Sequence, residues 1–365
     1  MSVTSESVTE EPDVRAVLRL AYGGQFAKAL AEAVRLGLPD LAGDDFVPVA
    51  DLAAATGTRR EVLDALLRTL ALAGTFAPDG AGGYRLSAPF APLRADHPRS
   101  VRNMCVLMAG PYTDAFNGLG RTLTGGESGF RGVHGADLYP YLTEHPETAA
   151  VFDAAMAELC RPTAHALAGA YDFGEVRRVV DVGGGDGTLL DALLTHAPWL
   201  EGVCLDRPPV CARAAARPHA AGARLTFRPA DVFAEVPADG DRFLLKNVLH
   251  DWSPDLQLRL LENVRAALAR TEGARLLVLE PLFEGEEGAA HALAQMVICH
   301  DGSRPFTAAA LRALFDRAGL APLRTERLAC GHHLFECVAT SRPQGRPGPR
   351  ERSAGQSAQA GQTPR

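Results

Sequence analysis

Apolar side chains in residues 14–100 recur at the three- and four-residue spacing of amphipathic helices. One stripe contains Phe26, Ala29, Leu30, Ala33 and Val34, and a second contains Leu63, Leu66, Leu67 and Leu70. The stretch VADLAAATG between them predicts a short helix that ends at Gly57. The stretch TFAPDGAGGYRLS, which comes after them, predicts two short strands around a glycine turn.

Helices followed by a hairpin form the outline of a winged-helix domain, which either binds DNA or joins two chains. Residues 1–100 contain ten basic and thirteen acidic side chains, a net charge of −3. A DNA-binding domain needs a basic face for the phosphates, and the segment EVLDALLRTLALAG, at the place of a recognition helix, is mostly apolar. The pattern therefore favours a dimerisation domain.

Beyond residue 100 the pattern is first helical and then alternates between strands and helices. The predicted strands are RRVVDVG, EGVCLD, RLTFRPAD, DRFLLKNVLH and ARLLVLE, and the helices between them include LLDALLTHA, PVCARAAARPHA and DLQLRLLENVRAALAR. This alternation is typical of a Rossmann-like, doubly wound α/β sheet with largely parallel strands. The predicted organisation is a disordered N-terminus (1–13), an α-helical winged-helix dimerisation domain (14–100), a helical linker that contributes to a substrate pocket (101–170), the sheet domain (171–340) and a disordered tail (341–365).

Overall composition narrows the function classes. The chain has 365 residues, of which 47% are hydrophobic, and a formal net charge of −7. These values predict two folded domains and give no electrostatic reason to expect nucleic acid or an anionic membrane as a partner. No apolar run reaches the length of a membrane span, and the N-terminus is polar and acidic, so we expect a cytoplasmic protein. Seven scattered cysteines without a C-x-x-C pair favour neither a zinc site nor a disulfide framework, and we expect no metal.

The stretch VVDVGGGDGTLL joins a predicted strand to a predicted helix. Gly183, Gly185 and Gly187 form G-x-G-x-G, whereas a pyrophosphate-binding Rossmann turn has G-x-G-x-x-G. Asp181 and Asp186 place carboxylates before and within the turn, where they would repel a pyrophosphate and attract an ammonium group. The loop therefore favours S-adenosylmethionine over NAD as the bound cofactor.

Acidic side chains also follow the next predicted strands. In an open parallel sheet, ligands bind beyond the carboxyl ends of the strands, so we expect these side chains at one site. Asp206 is expected to accept hydrogen bonds from the two ribose hydroxyls. Asp231, with Val232 and Phe233 behind it, supplies an acceptor for the adenine amino group and an apolar face for the ring.

His250 ends the predicted strand FLLKNVLH among these residues. Transfer of a methyl group from S-adenosylmethionine to a protonated acceptor requires the acceptor to lose its proton, and a histidine with a pKa near neutrality suits that role. His250 is therefore the predicted general base; the alternative is a loop histidine that only caps the following helix. Asp251 is one candidate to orient the ring, although local backbone bonding is the commoner role of such an aspartate.

Several motifs resemble those of the small-molecule O-methyltransferases that use S-adenosylmethionine, a family with plant caffeate and flavonoid enzymes and bacterial polyketide-tailoring enzymes. The motifs are VVDVGGGDG, LDRPPV, PADVF, LLKNVLHDWSPD and LLVLEPL, and the resemblance extends over residues 14–340. LHDW at this distance after DVGGG is specific for the family, whereas the glycine loop occurs in methyltransferases generally. The resemblance implies a homodimer, joined by its N-terminal domains, that methylates a phenolic small molecule in secondary metabolism or antibiotic biosynthesis.

The resemblance also implies roles for individual residues. Arg207 and Lys246 join the cofactor-binding set, Lys246 near the methyl-donor end, and Glu280 accepts a hydrogen bond from the second ring nitrogen of His250. The expected acceptor pocket contains Phe152, Met156, Met296 and His300.

The chain departs from the family pattern before its last large helix. Many members have Arg-Thr-Glu there, with the glutamate as a second partner of the base, but this chain has Phe306, Thr307 and Ala308. We therefore expect Glu280 alone to hold His250. The departure leaves open a non-methylating reaction on the same fold, such as decarboxylation, hydroxylation or rearrangement. A nicotinamide oxidoreductase is disfavoured by the glycine spacing, and a ligand-sensing winged-helix regulator by the charge of the N-terminal domain.

Overall fold

The N-terminal part of the chain combines short helices with a small sheet. The structure, a computed structural model, describes residues 13–237, 239–283 and 289–340. The segments predicted to be disordered, 1–13 and 341–365, lie outside the described residues except for Asp13. The elements of this part are α1 (Val14–Ala21), α2 (Gly23–Arg35), α3 (Leu38–Ala42), β1 (Val47–Pro48), α4 (Val49–Thr56), α5 (Arg60–Leu72), β2 (Phe76–Pro78) and β3 (Gly83–Leu86).

The predicted winged-helix outline is confirmed. The hairpin β2–β3 forms, and β1 pairs antiparallel with the other edge of β3, an additional strand that the sequence did not predict. Helix α4 ends at Gly57, which has a left-handed φ of 65°. Ala33 and Val34 of the first predicted stripe pack against Leu63 and Leu67 of the second in one buried core.

The middle of the chain is helical, as predicted. Its helices are α6 (Arg102–Leu107), α7 (Thr113–Ala115), α8 (Leu119–Gly125), α9 (Gly129–His134), α10 (Leu138–Glu144) and α11 (Pro146–Ala170). Phe130, Leu142 and Phe152 from three of these helices share a buried core with Val297 from the later part of the chain. This core attaches the middle helices to the sheet domain.

The remaining chain alternates between strands and helices. Its elements are β4 (Arg178–Val182), α12 (Thr188–His196), β5 (Glu201–Asp206), α13 (Pro208–Ala215), β6 (Leu225–Pro229), β7 (Arg242–Lys246), α14 (Pro254–Leu268), β8 (Arg275–Glu280), α15 (Ala289–Ile298), α16 (Ala308–Ala318), β9 (Leu320–Arg327) and β10 (His333–Ala339). They form a seven-stranded sheet in the order β6-β5-β4-β7-β8-β10-β9. The pairings from β6 to β8 are parallel, and β10 runs antiparallel to both of its neighbours. The predicted doubly wound sheet is confirmed, and β9 and β10 extend it.

Both faces of this sheet are covered, which explains the nearly continuous aliphatic runs of its strands. Val180 and Leu245 pack into the core on one face, and Val179 and Leu244 into the core on the other. The register aligns the last residues of the parallel strands, so their carboxyl ends meet at one edge. Among the described residues, no helix is long and apolar enough to cross a membrane.

Candidate active site

The glycine loop follows β4 and leads into α12. Gly183, Gly185 and Gly187 have φ values of 76°, 60° and 80°, in the left-handed region that L side chains rarely adopt. A Cβ atom on Gly187 would also lie 2.8 Å from the Phe227 ring on β6. Backbone conformation and close packing therefore both require the glycines that the sequence showed.

Two carboxylates lie at the loop. Burial raises the pKa of Asp181 to about 7, and the negative charge of Asp206 adds to that increase. Asp206, at the end of β5, accepts a hydrogen bond from the backbone N–H of Gly185 at 2.9 Å and another from the backbone N–H of Arg207 at 2.7 Å. Burial also raises the pKa of Asp206, against the effect of these two donors. Its carboxylate is thus held in one orientation between the loop and β5.

A cavity of about 770 Å³ opens beyond these strand ends and is lined by residues of the sheet domain and the middle helices. Most predicted site residues line it, namely Phe152, Met156, Asp181, Gly183, Gly185, Asp206, Arg207, Asp231, Val232, Phe233, Lys246, Asp251 and His300. The cavity thus brings together the side chains predicted for the cofactor and most of those predicted for the acceptor.

Three predicted residues are not among those that line the cavity. Glu280 is completely buried, and His250 lies beneath the wall with 9% of its surface exposed. Met296 is 38% exposed on α15, whose inward-facing residues include Gln295 and Val297. Helical periodicity puts position 296 on the outer face of this helix.

Asp186 is paired in a way that the sequence analysis did not foresee. One carboxylate oxygen accepts a hydrogen bond from Arg217 Nη1 at 2.8 Å, and the other accepts one from the backbone N–H of Thr188 at 3.1 Å. The carboxylate that the sequence placed within the turn is therefore partly neutralised by an arginine.

His250 lies in the single helical turn Leu249–Asp251, four positions after the end of β7, rather than at the strand end as predicted. Its Nδ1 is 2.5 Å from Glu280 Oε2, and the other oxygen of Glu280 accepts the backbone N–H of Leu249 at 3.0 Å. Burial lowers the pKa of His250, but the negative charges of Glu280 and Asp251 outweigh it and raise the pKa to about 9. The ring is thus oriented by its contact with Glu280, with Nε2 directed away from it.

A second carboxylate also approaches His250. Asp251 Oδ1 lies 3.4 Å from His250 Nε2 and accepts a hydrogen bond from the Cys299 thiol at 3.2 Å. Glu280 hydrogen-bonds to His250, and Asp251 adds a longer electrostatic contact. Asp251 approaches the ring from the side opposite Glu280, although Ala308 supplies no carboxylate.

Tyr139 and Trp252 are site residues that the sequence reasoning missed. The Tyr139 hydroxyl donates to Asp251 Oδ2 at 2.5 Å, and its ring stacks on Trp252 with centroids 5.1 Å apart. The Arg207 guanidinium lies 4.8 Å from the centre of the Tyr139 ring, and its Nη1 donates to the Tyr139 carbonyl at 3.0 Å. Trp252 belongs to the LHDW motif, a signal that could have identified it. Nothing in the spacing of Tyr139 pointed to Asp251.

The strand order, the reversed strand β10 and the glycine loop after β4 together define the class: a methyltransferase with a Rossmann-like sheet. Comparison with family models is more specific. Residues 18–89 match the O-methyltransferase dimerisation domain, and residues 116–321 match the O-methyltransferase domain. The chain therefore belongs to the O-methyltransferase family.

Individual relatives agree with this assignment. The chain is 34% identical over 325 residues to phenazine O-methyltransferase PhzM of Lysobacter antibioticus, covering 88% of this chain and 94% of that protein. It is 36% identical over 317 residues to O-demethylpuromycin-O-methyltransferase of Streptomyces alboniger, covering 84% of each.

Solved structures are similar over almost the whole fold. The crystal structure of LaPhzM matches with a TM-score of 0.83 at 33% identity, covering 90% of this chain and 99% of that one. A second match is the crystal structure of NcsB1 from neocarzinostatin biosynthesis, in complex with S-adenosylmethionine and 2-hydroxy-5-methyl naphthoic acid. Its TM-score is 0.76 at 28% identity, and the match covers 90% of this chain and 99% of that one. These relatives favour neither the non-methylating reaction nor the regulator.

Proposed function

We propose that the chain transfers a methyl group from S-adenosylmethionine to a hydroxyl, preferentially a phenolic one, of a small aromatic natural product. The observation that carries the proposal is the 2.5 Å contact between His250 and the fully buried Glu280, next to a cavity that also contains the glycine loop. A histidine oriented in this way can accept a proton from the acceptor.

The residues around the loop fit S-adenosylmethionine. A Cβ atom on Gly184 would lie 2.7 Å from the Asp181 carboxyl carbon, so the loop is tightly packed there. A Cβ atom on Gly185 would meet open space, so the backbone at this position is accessible to a ligand. Asp206 would hold the ribose hydroxyls, and Asp181 would attract the ammonium group. Asp231, Val232 and Phe233 would hold the adenine, and Lys246 and Arg207 complete the proposed set.

S-adenosylmethionine supplies an electrophilic methyl group when bound, so the chain itself must align and deprotonate the acceptor. Nδ1 of His250 donates to Glu280, which leaves Nε2 to take the hydroxyl proton. Asp251, 3.4 Å from Nε2, stabilises the imidazolium that forms. His250 is the proposed base, and Glu280 and Asp251 support it.

The cavity walls support an aromatic acceptor. Tyr139 and Phe152 meet edge to face with centroids 6.2 Å apart, and Met156 and His300 also line the cavity. Flat aromatic faces and a flexible thioether suit a planar ring. The relatives named for phenazine, puromycin and naphthoic acid chemistry support the same class of acceptor.

The chain is proposed to act as a homodimer in the cytoplasm. Helix α1 overlaps the start of the segment that matches the dimerisation domain. It exposes the apolar side chains of Val14, Val17 and Leu20. Exposed apolar surface of this kind is typical of a contact with another chain. All seven cysteines are unpaired, which is compatible with a reducing compartment.

Two measurements test the proposal. Titration calorimetry with S-adenosylhomocysteine should show binding, and incubation of the protein with S-adenosylmethionine and a panel of phenolic acids and polycyclic phenols should yield a product heavier by one methylene group. The His250→Ala variant is the control and should bind S-adenosylhomocysteine but form product roughly a hundredfold more slowly, or slower still. Absence of S-adenosylhomocysteine binding, or equal product formation by the control, would contradict the proposal.

A further inference from the structure

Tyr139 connects the middle helices to the turn that carries the proposed base. Its hydroxyl donates to Asp251 Oδ2 at 2.5 Å across 112 positions of the chain. Its ring lies nearly parallel to Trp252, with 22° between the planes, and its carbonyl accepts the hydrogen bond from Arg207. Backbone and ring are therefore both held, and the hydroxyl has a defined position.

The Asp251 carboxylate would have freedom to move without that hydroxyl. It lines the cavity, and 15% of its side chain is exposed. Besides the Tyr139 hydroxyl, it contacts the Cys299 thiol, which is a weak donor, and the 3.4 Å approach to His250 Nε2 is longer than a good hydrogen bond. Loss of the Tyr139 bond would let the carboxylate turn toward water in the cavity.

We infer that Tyr139 is a positioning residue for the proposed methyl transfer, and that its hydroxyl holds the Asp251 carboxylate beside Nε2 of His250. The inference rests on the proposed function. In the step that Tyr139 assists, the O–H bond of the acceptor breaks, an N–H bond forms at Nε2, and the electron pair stays on the acceptor oxygen. A carboxylate held near Nε2 favours this transfer because it lies next to the new positive charge.

Several charged groups around His250 influence its pKa. The titratable and charged groups that act on or respond to His250 are Glu280 on β8, Asp251 on the same turn, Lys246 on β7, His291 on α15 and His332 before β10. Burial and the nearby positive charges lower the pKa of His332 to about 4, so this ring is neutral at physiological pH. Glu280 and Asp251 therefore supply the negative charge that raises the pKa of His250.

The test measures this pKa in the full-length protein, without ligand or turnover. Histidine labelled at Cε1 is followed by NMR as the pH changes, and the His250→Gln variant assigns the signal. Asp251→Asn should lower the pKa of His250 by roughly one pH unit, the scale expected for an opposite charge a few ångströms away. Tyr139→Phe keeps the ring and its stacking and should lower the pKa by about half as much, because the carboxylate is retained but no longer held.

The double variant Tyr139→Phe/Asp251→Asn shows whether Tyr139 changes the pKa of His250 through Asp251. If Tyr139 acts through Asp251, then adding Tyr139→Phe to Asp251→Asn should cause no further change. Tyr141→Phe is the matched control: Tyr141 lies on the same helix with its ring stacked on His145, and this change should leave the pKa of His250 unaltered. Thermal unfolding of each variant verifies that it is folded.

An unchanged pKa in Tyr139→Phe would overturn the inference, as would an equal decrease from Tyr139→Phe in both backgrounds. Because the measurement needs no acceptor, a protein that showed no methyl transfer in the substrate screen could still give either result. Failure of the proposed function and failure of this inference are therefore distinguishable.

Discussion

Replacing Glu280 by glutamine tests the role of the proposed base pair most directly. The carboxylate of Glu280 is completely buried and accepts two hydrogen bonds, one from His250 Nδ1 and one from the backbone N–H of Leu249. The glutamine side chain has one acceptor, its carbonyl oxygen, and one donor group, its NH₂. If its oxygen faces Leu249, its NH₂ group must donate to Nδ1, which moves the proton of the neutral ring to Nε2.

That tautomer leaves no lone pair on the nitrogen that must accept the acceptor proton. If the amide turns over, its NH₂ group faces the N–H of Leu249 without water, at a cost of about 1–3 kcal/mol for an unsatisfied buried donor. The first orientation removes the base function of Nε2, whereas the second keeps Nε2 free but has this energetic cost and lacks the negative charge of Glu280. Because the cost disfavours the second orientation, turnover by Glu280→Gln should fall roughly 10²- to 10⁴-fold. Affinity for S-adenosylhomocysteine should change little, because Glu280 does not line the cavity.

The assay is turnover as a function of pH, with an acceptor from the mass screen. The folded pKa of His250, about 9, lies above its ordinary value of 6.5, so wild-type turnover should rise about tenfold per pH unit and level off near 9. Glu280→Gln should shift this rise to lower pH. Glu336→Gln, a buried glutamate on β10 that bonds to Tyr171 and Arg275, is the control for a lost buried carboxylate. Near-normal turnover with an unshifted profile in Glu280→Gln would refute the reasoning.

Four further outcomes are expected. His250→Ala should reduce kcat by roughly a hundredfold or more with nearly unchanged S-adenosylhomocysteine affinity by calorimetry, and normal kcat would contradict the base assignment. Asp206→Ala should instead weaken that affinity first, and unaltered binding would remove Asp206 from the cofactor site. Gly187→Ala should lower the free energy of unfolding in urea by roughly 1–2 kcal/mol, because φ is positive and the new Cβ would meet Phe227; an unchanged value would contradict this. The stability contributed by His250 is fully present below pH 6.5 and lost as the pH rises through about 9, so Tm should fall across this window more in the wild type than in His250→Ala.

The sequence by itself was sufficient for the class of fold and for most of the side chains that line the cavity. Alternating aliphatic runs and helices predicted the parallel sheet, and the end of each strand placed Asp206 and Asp231 near the glycine loop. These inferences succeed because they are local: the period of a segment sets its type, and parallel strands bring their carboxyl ends to one edge. Glu280 and the acceptor residues needed the family resemblance as well.

The tertiary structure alone decided how the side chains are paired. Asp186 is bonded to Arg217, and Asp251 is held by Tyr139 from a helix 112 positions earlier in the chain. Met296 lies outside the cavity because the packing of α15 against its neighbours sets which face of the helix turns inward. Periodicity identifies an element and its apolar face, but contacts between distant residues depend on how the elements pack together, and no local pattern contains that information.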